Sequence, residues 1–183
     1  MNLEKYTQKS QEAILSAQRL AQDYNHQTID PAHLLLALLQ QDQGVVPAIA
    51  TKISGSPLAL LTELQKELEK RSKISGTNLD VSLSRSAADV FLAAERYAKG
   101  MQDDYISTEH ILLGLTESLE GKRLASFGLT KDAIFSALKA VRGTQRVTSQ
   151  NPESTYQSLE RYGRDLTTYA RQGKLDPVIG RDE

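Results

Sequence analysis

The chain has 183 residues, with 22 Lys and Arg against 23 Asp and Glu and a net charge of −1. This length suits one domain of about 100–150 residues plus a tail, and the balanced charge with no Trp argues against nucleic-acid binding. The absence of Cys excludes disulfides and thiolate chemistry. No apolar run reaches the roughly 18 residues that span a bilayer, and the polar amino terminus does not resemble a signal peptide. We therefore expect a cytoplasmic protein with no membrane partner.

The first predicted element is an amphipathic helix from about residue 8 to 23, in which apolar side chains recur at three- and four-residue spacing. Residues 7–38 then return without a gap as residues 84–115. Eight of the 32 aligned positions are identical, where chance would give roughly two. The identical pairs are Ala17/Ala94, Arg19/Arg96, Ala21/Ala98, Ile29/Ile106, His33/His110, Leu35/Leu112, Leu36/Leu113 and Leu38/Leu115. This duplication predicts two copies of one helical module packed together.

Capping residues mark the helix starts in both copies. The predicted caps are Thr7 and Ser84 for the first helix, Asp30 and Ser107 for the second, and Ser56 and Thr130 for the last. Short additional helices are predicted at 45–53 and 122–127, which gives four helices in each copy. Gly100 follows Lys99 at the end of a helix and predicts a left-handed cap.

The predicted fold is all-α: a pseudo-twofold duplication of a four-helix module, followed by a linker and an amphipathic helix. Repeat 1 covers residues 1–75 and repeat 2 residues 76–143, with the connection between the copies around 71–83. Residues 144–155 are polar and turn-rich and predict a flexible linker. Apolar side chains at helical spacing predict the amphipathic helix within 156–183. The second helix of each copy is apolar on every side, which predicts a central, buried position.

Catalytic motifs are absent from this sequence. The two Gly-Lys pairs lack the upstream Gly of a phosphate-binding loop, and neither HExxH nor GxSxG occurs. His33 and His110 lie three residues after their caps at matching sites, but one histidine in each copy does not make a metal site. We expect both to serve in packing or local hydrogen bonding. The sequence therefore predicts no enzyme, no cofactor and no metal within this chain.

Acidic residues distinguish repeat 2 from repeat 1. Asp103, Asp104 and Glu109 stand where repeat 1 has His26, Gln27 and Ala32. A carboxylate in the first turn of a helix is favoured by the free N–H groups there, so the acids have a simple explanation as a solvated patch. The other interpretation is an acidic patch that contacts a ligand. Tyr97 replaces Leu20 and fits either core packing or the lining of a groove.

Two motifs and the tail resemble a known family. The second helices begin with IDPAHLLLALL and ISTEHILLGL, and the tail reads YGRDLTTYARQGKLDPVIGRDE. Together they resemble the amino-terminal domain, plus the start of the first ATPase module, of ClpB-type AAA+ protein disaggregases in the Clp ATPase family. Ala32 is consistent with this type, since the ClpC domain typically carries an acid at that position. In this interpretation residues 156–183 begin the first AAA+ module.

The resemblance implies a substrate-recognition domain of an ATP-dependent chaperone. It implies binding of exposed apolar segments of unfolded or aggregated polypeptides and their delivery to the pore of a homohexamer, in cooperation with a DnaK-type chaperone system. ATP and Mg would be bound in ATPase modules beyond this chain, and the isolated piece would be monomeric. The residues implied in peptide binding are Thr7, Tyr97, Asp103, Glu109 and His110. We expect a peptide groove at the seam of repeat 2, with Asp103 and Glu109 at its rim.

Two other functions remain open at the level of sequence. The chain could be an adaptor-docking domain of a protease-linked unfoldase resembling ClpC or ClpA, which binds a folded partner. It could also be a structural domain that gates the pore. A hydrolase would need a catalytic set of residues that the sequence does not contain.

Overall fold

The computed structural model describes residues 2–75, 80–143 and 145–152. Helices dominate this part of the chain, which confirms the predicted all-α class and all eight helices. Their bounds are α1 Gln8–Asp23, α2 Pro31–Leu39, α3 Val45–Ser54, α4 Leu58–Lys70, α5 Arg85–Gly100, α6 Thr108–Thr116, α7 Gly121–Ser126 and α8 Lys131–Arg142. Two short strands, β1 Thr28–Ile29 and β2 Ser82–Leu83, complete the fold. The amphipathic helix predicted within 156–183 lies outside the described residues.

The predicted caps satisfy backbone N–H groups that have no partner within their helix. Their side-chain oxygens accept from the N–H three residues on: Thr7 from Ser10, Ser84 from Ala87 and Thr130 from Ala133, at 3.1 to 3.2 Å. Ser56 differs, because α4 begins at Leu58 and the Ser56 hydroxyl accepts from the Leu58 N–H at 3.2 Å.

The prediction of a left-handed cap at Gly100 is wrong. Helix α5 continues through Gly100, and the left-handed residue is Gln102, with φ of 59°. The N–H of Asp103 then donates to the carbonyl of Ala98 at 2.9 Å and closes the helix end. Asn25 has the same φ at the equivalent place in repeat 1. The equivalent N–H of His26 donates to the carbonyl of Ala21 at 2.8 Å. Both repeats therefore close this helix with the same hydrogen bond, although Asn25 takes the left-handed position in one and Gln102 in the other.

The central helices are α2 and α6, as predicted. Every residue of α2 is buried, and so is every residue of α6 except Thr116. The two helices contact each other, while α1 packs on α2 and α5 packs on α6. Gly114 permits the close approach of α5 and α6, because a Cβ there would lie 2.6 Å from the carbonyl oxygen of Val90.

The two repeats meet at a seam where each repeat pairs a short backbone segment with the equivalent segment of the other. Ile29 of repeat 1 pairs with Leu83 of repeat 2 in a parallel ladder. Tyr6 and Ile106 form a parallel bridge at the equivalent positions with the repeats exchanged. The N–H of Ser84 donates to Ile29 O at 3.1 Å, and that of Thr7 donates to Ile106 O at 3.0 Å. This reciprocity supports the predicted pseudo-twofold arrangement.

Residues 145–152 differ from the flexible connector predicted for 144–155. They are hydrogen-bonded along the surface of the domain, and the side chain of Val147 is fully buried. Within the described residues, no single helix meets the length and apolarity that a membrane span requires, although the bent pair α3 and α4 meets them jointly.

We predict that Gly114→Ala lowers the free energy of unfolding by about 1–3 kcal/mol, because the added methyl group would overlap the Val90 carbonyl. Gly100→Ala is the control, since a Cβ there meets no atom within 4 Å and alanine is favoured over glycine in a helix by about 1 kcal/mol. Chemical denaturation of both variants tests this. Equal effects of the two substitutions would contradict the close approach.

Candidate functional site

The Asp103 carboxylate lies at the centre of a buried polar group that we call the Asp103 cluster: Asp103, Glu109, His110 and Arg142. The Asp103 side chain is 0% exposed. One carboxylate oxygen accepts from His110 Nε2 at 2.7 Å. The other accepts from the Arg142 guanidinium at 2.6 Å and from the Val147 N–H at 3.0 Å. Three separate segments of the chain thus supply donors to one side chain.

The helix starts explain how His110 is oriented. The N–H of Ser107 donates to His110 Nδ1 at 2.9 Å, so His110 closes a reciprocal cap at the third position of α6. Because Nδ1 accepts this bond, Nε2 carries the proton and donates to Asp103. The prediction that His110 serves in local hydrogen bonding is confirmed. The sequence did not reveal that its second nitrogen would contact Asp103.

Burial and hydrogen bonding act in opposite directions on Asp103. Burial would raise the pKa of its carboxyl, since it disfavours the charged form. The hydrogen bonds from His110, Arg142 and the Val147 N–H outweigh burial and lower the pKa to about 2. The group is therefore ionised at neutral pH, and its charge stabilises the folded state.

Glu109 is also fully buried, in the first turn of α6. Its nearest described charge is the Arg142 Nε, 3.6 Å from one carboxylate oxygen. Neither carboxylate oxygen has a hydrogen-bond partner among the described residues. Arg142 thus lies between two acidic side chains, and Glu109 is the less well satisfied of the two.

Repeat 1 places two histidines at the equivalent positions. His26 Nδ1 and His33 Nε2 lie 2.8 Å apart, and His33 Nδ1 accepts from the Asp30 N–H at 2.9 Å. This capping bond confirms the predicted role of His33 in local hydrogen bonding. The same bond puts the proton on His33 Nε2, which donates to His26. Burial and then the neighbouring His26 lower the pKa of His33 to about 4. Repeat 1 therefore holds a neutral pair where repeat 2 holds a charged one.

The prediction that Asp103 and Glu109 lie at an exposed rim of a groove is wrong. Asp103 and Glu109 have fully buried side chains, and only Asp104 of the predicted acidic patch is exposed. The reason is Arg142, at the end of α8, which neutralises charge inside the domain. Local sequence patterns do not identify Arg142, because it is 39 residues from Asp103 along the chain and the two side chains meet only in the folded protein.

The five predicted peptide-binding residues fall into two places. Asp103, Glu109 and His110 belong to one cluster. Thr7 is fully buried nearby, where its N–H donates to Ile106 O. Tyr97 lies apart, half-buried against Phe135 with a centroid separation of 6.2 Å and a hydroxyl that donates to Glu117. Their roles in peptide binding stay predictions.

An apolar pocket of about 340 Å³ lies at the seam between the repeats and is lined mostly by residues of repeat 2. It is lined by Tyr6, Leu83, Phe91, Leu92 and Ile106 and flanked by Lys5 and Glu95. Leu92 is 65% exposed, and Tyr6 and Ile106 are the bridge residues of the seam. Within the described residues, no group of three or more His, Asp or Glu is placed to hold a metal ion.

Comparisons with known proteins agree with this architecture. The Clp repeat N-terminal domain matches residues 5–131. The chain belongs to this family. It is 41% identical over 189 residues to the chaperone protein ClpB of Nitratidesulfovibrio vulgaris and spans 22% of that protein's length.

Solved Clp-type domains share the fold. The Hsp104 N-terminal domain of Candida albicans has a TM-score of 0.69 at 22% identity, over 81% of this chain and 99% of that chain. The N-terminal domain of ClpD from Arabidopsis thaliana, a caseinolytic protease associated chaperone, has a TM-score of 0.58 at 26% identity, over 74% and 96%. The predicted resemblance to ClpB-type Clp N domains is confirmed.

We predict that Asp103→Asn lowers the free energy of unfolding by about 3–5 kcal/mol, because it removes the buried negative charge that accepts hydrogen bonds from both Arg142 and His110. Asp104→Asn, at the adjacent exposed position, should change it by less than about 0.5 kcal/mol. Urea denaturation at pH 7 measures both. A small effect at Asp103 would contradict the assigned charge network.

We predict that the free energy of unfolding falls as pH drops from 6.5 towards 4, because burial lowers the pKa of His33 in the folded chain. Its pKa is about 4 in the folded chain against an ordinary value of 6.5. The unfolded chain therefore binds more protons in that window, and protonation favours unfolding. The measurement is denaturation at several pH values between 4 and 7. His33→Asn should lose part of this slope, and an unchanged slope would contradict the assignment.

Proposed function

We propose that this chain is the substrate-recognition domain of an ATP-dependent chaperone that disaggregates damaged proteins. It binds exposed apolar segments of unfolded or aggregated polypeptides and delivers them to the pore of a hexamer. The observation that carries the proposal is the apolar pocket at the seam of repeat 2, beside the exposed Leu92. Identity of 41% over the full chain to a ClpB chaperone supports it.

The pocket has the chemistry that promiscuous capture requires. Aromatic and aliphatic side chains line it, and burial of apolar area stabilises by about 25 cal/mol per Å² whatever the sequence of the partner. Lys5 and Glu95 at its edge form an ion pair at 3.6 Å, so neither sign of charge dominates there. A pocket that accepts many sequences cannot be finely complementary to one of them, so binding to a single domain is weak.

The rest of the proposal concerns the whole protein, since the chain spans about a fifth of its ClpB relatives. Six domains on one homohexamer would combine weak contacts into useful avidity. ATP and Mg would be used by ATPase modules outside this chain, which itself has no catalytic role. Cooperation with a DnaK-type chaperone system and a cytoplasmic location complete the proposal.

The second candidate is docking of a folded adaptor, as part of a protease-linked unfoldase. The similarity to the N-terminal domain of a caseinolytic protease associated chaperone favours it. The two functions differ in the ligand: a recognition domain binds an unfolded chain without a defined fold, whereas an adaptor-docking domain requires a folded surface.

We predict that Leu92→Ser weakens binding of a permanently unfolded model protein, reduced and carboxymethylated α-lactalbumin, by about five- to thirtyfold. The reason is that covering an exposed leucine stabilises by about 1–2 kcal/mol. Leu15→Ser is the matched control, because Leu15 is 52% exposed but lies on α1 outside the pocket. NMR titration gives both affinities and the residues that shift.

Equal weakening by the two substitutions, or shifts scattered evenly over the surface, would contradict the pocket as the binding site. Binding of native α-lactalbumin as tightly as the unfolded form would favour the adaptor-docking function.

A further inference from the structure

The segment of residues 145–152, which we call the strap, is bound along the surface of the domain. It follows the left-handed Gly143 at the end of α8. Its backbone contacts two distant parts of the chain: the loop after α5 and the first residue of α1. The strap thus lies across the same region that contains Thr7 and Asp103.

Val147 uses both of its main-chain polar groups in this contact. Its N–H donates to the Asp103 carboxylate at 3.0 Å, and its carbonyl accepts from the Asp104 N–H at 2.8 Å. Its side chain is 0% exposed and belongs to the hydrophobic core. One residue therefore combines paired main-chain hydrogen bonds with an aliphatic anchor.

A second main-chain contact follows three residues later. The carbonyl of Gln150 accepts from the N–H of Gln8 at 2.8 Å, and Gln8 is the first residue of α1. The side chain of Gln150 donates to the Glu4 carbonyl at 3.0 Å. A helix start offers N–H groups without an intrahelical partner, and a carbonyl satisfies one of them here.

The surface under the strap binds its main chain and two of its polar side chains. Backbone atoms of Val147 and Gln150 make three polar contacts, and Val147 supplies a buried aliphatic anchor. The side chains of Arg146 and Gln150 add one contact each, to the carbonyls of Met101 and Glu4. Thr148 and Ser149, between the two contacts, are exposed. An extended segment with a small aliphatic side chain at the place of Val147 offers the same main-chain groups. Recognition through the main chain, with a pocket for one side chain, is a general mode of binding extended peptides.

We propose that the strap is an internal occupant of a second peptide site, and that an extended aliphatic segment of a client polypeptide displaces it. The inference rests on the proposed function, because it takes a client polypeptide as the competing ligand. The receptor groups are the Asp103 carboxylate and the N–H groups of Asp104 and Gln8. The Asp103 carboxylate then becomes reachable only when the strap lifts, which reconciles its predicted role with its burial.

The strap also weakens binding of the client at this site. A tethered segment of a few residues competes at an effective concentration in the millimolar range. The apparent affinity for a client equals the intrinsic affinity of the site multiplied by the fraction of molecules in which the strap is released. Releasing the strap should therefore raise affinity without adding any contact.

The experiment compares Val147→Asp with Thr148→Asp in the full 183-residue chain. Both add one negative charge to the strap, but only Val147 is buried. We expect Val147→Asp to release the strap and to accelerate amide hydrogen exchange of Gln8 and Asp104 at least tenfold. The Ser10 amide, which donates to Thr7 and not to the strap, should be unchanged and reports that α1 stays folded.

Two probes are then titrated: a labelled peptide of the strap sequence QRVTSQNP, and reduced, carboxymethylated α-lactalbumin. The strap peptide should bind Val147→Asp but not wild type or Thr148→Asp. The unfolded protein should bind Val147→Asp several-fold more tightly than wild type. Val147→Ser should give intermediate values, and it serves in place of the aspartate variant if that variant fails to fold.

The outcomes separate this inference from the proposed function. If the unfolded protein binds wild type and Val147→Asp with equal affinity, the strap is not a competitor, and the proposed function still stands. Unfolded protein that binds no variant overturns the proposed function. In that case, strap peptide that binds Val147→Asp still establishes a peptide site under the strap, whereas absence of peptide binding overturns the site.

Discussion

The structure of repeat 2 depends on how the buried Asp103 carboxylate is satisfied. An ionised carboxylate is costly to bury unless donors surround it, and here they come from the start of α6, the end of α8 and the backbone of the strap. Each element is held in place partly by this one charge. The position of the strap, the tautomer of His110 and the burial of Arg142 are therefore linked.

The duplicated architecture shows that a common fold can carry two kinds of polar pair. In both repeats a histidine at the third helical position closes the helix start through Nδ1 and contacts the residue seven positions before it through Nε2. Repeat 1 places His26 there and needs no counterion. Repeat 2 places Asp103 there and requires Arg142. The backbone is thus shared, and the electrostatics are specific to each copy.

Local signals in the sequence predicted the helices, most of the caps and the central position of α2 and α6, because periodicity and capping depend on near neighbours. Three features were beyond such signals. The strands β1 and β2 are two residues long, too short to show alternation. Arg142 and Asp103 meet only in the folded chain. The strap has the composition of a linker, since its binding uses backbone atoms that composition does not reveal.

The hydrogen bond from Gln8 to Gln150 also bears on biosynthesis. The first helix emerges from the ribosome long before the residue that satisfies its leading amide, and Tyr6 likewise waits for Ile106. The leading amide of the first helix therefore stays without this partner until both repeats have been synthesised. A nascent chain halted before residue 147 would lack the strap and its hydrogen bonds to Asp103, Asp104 and Gln8.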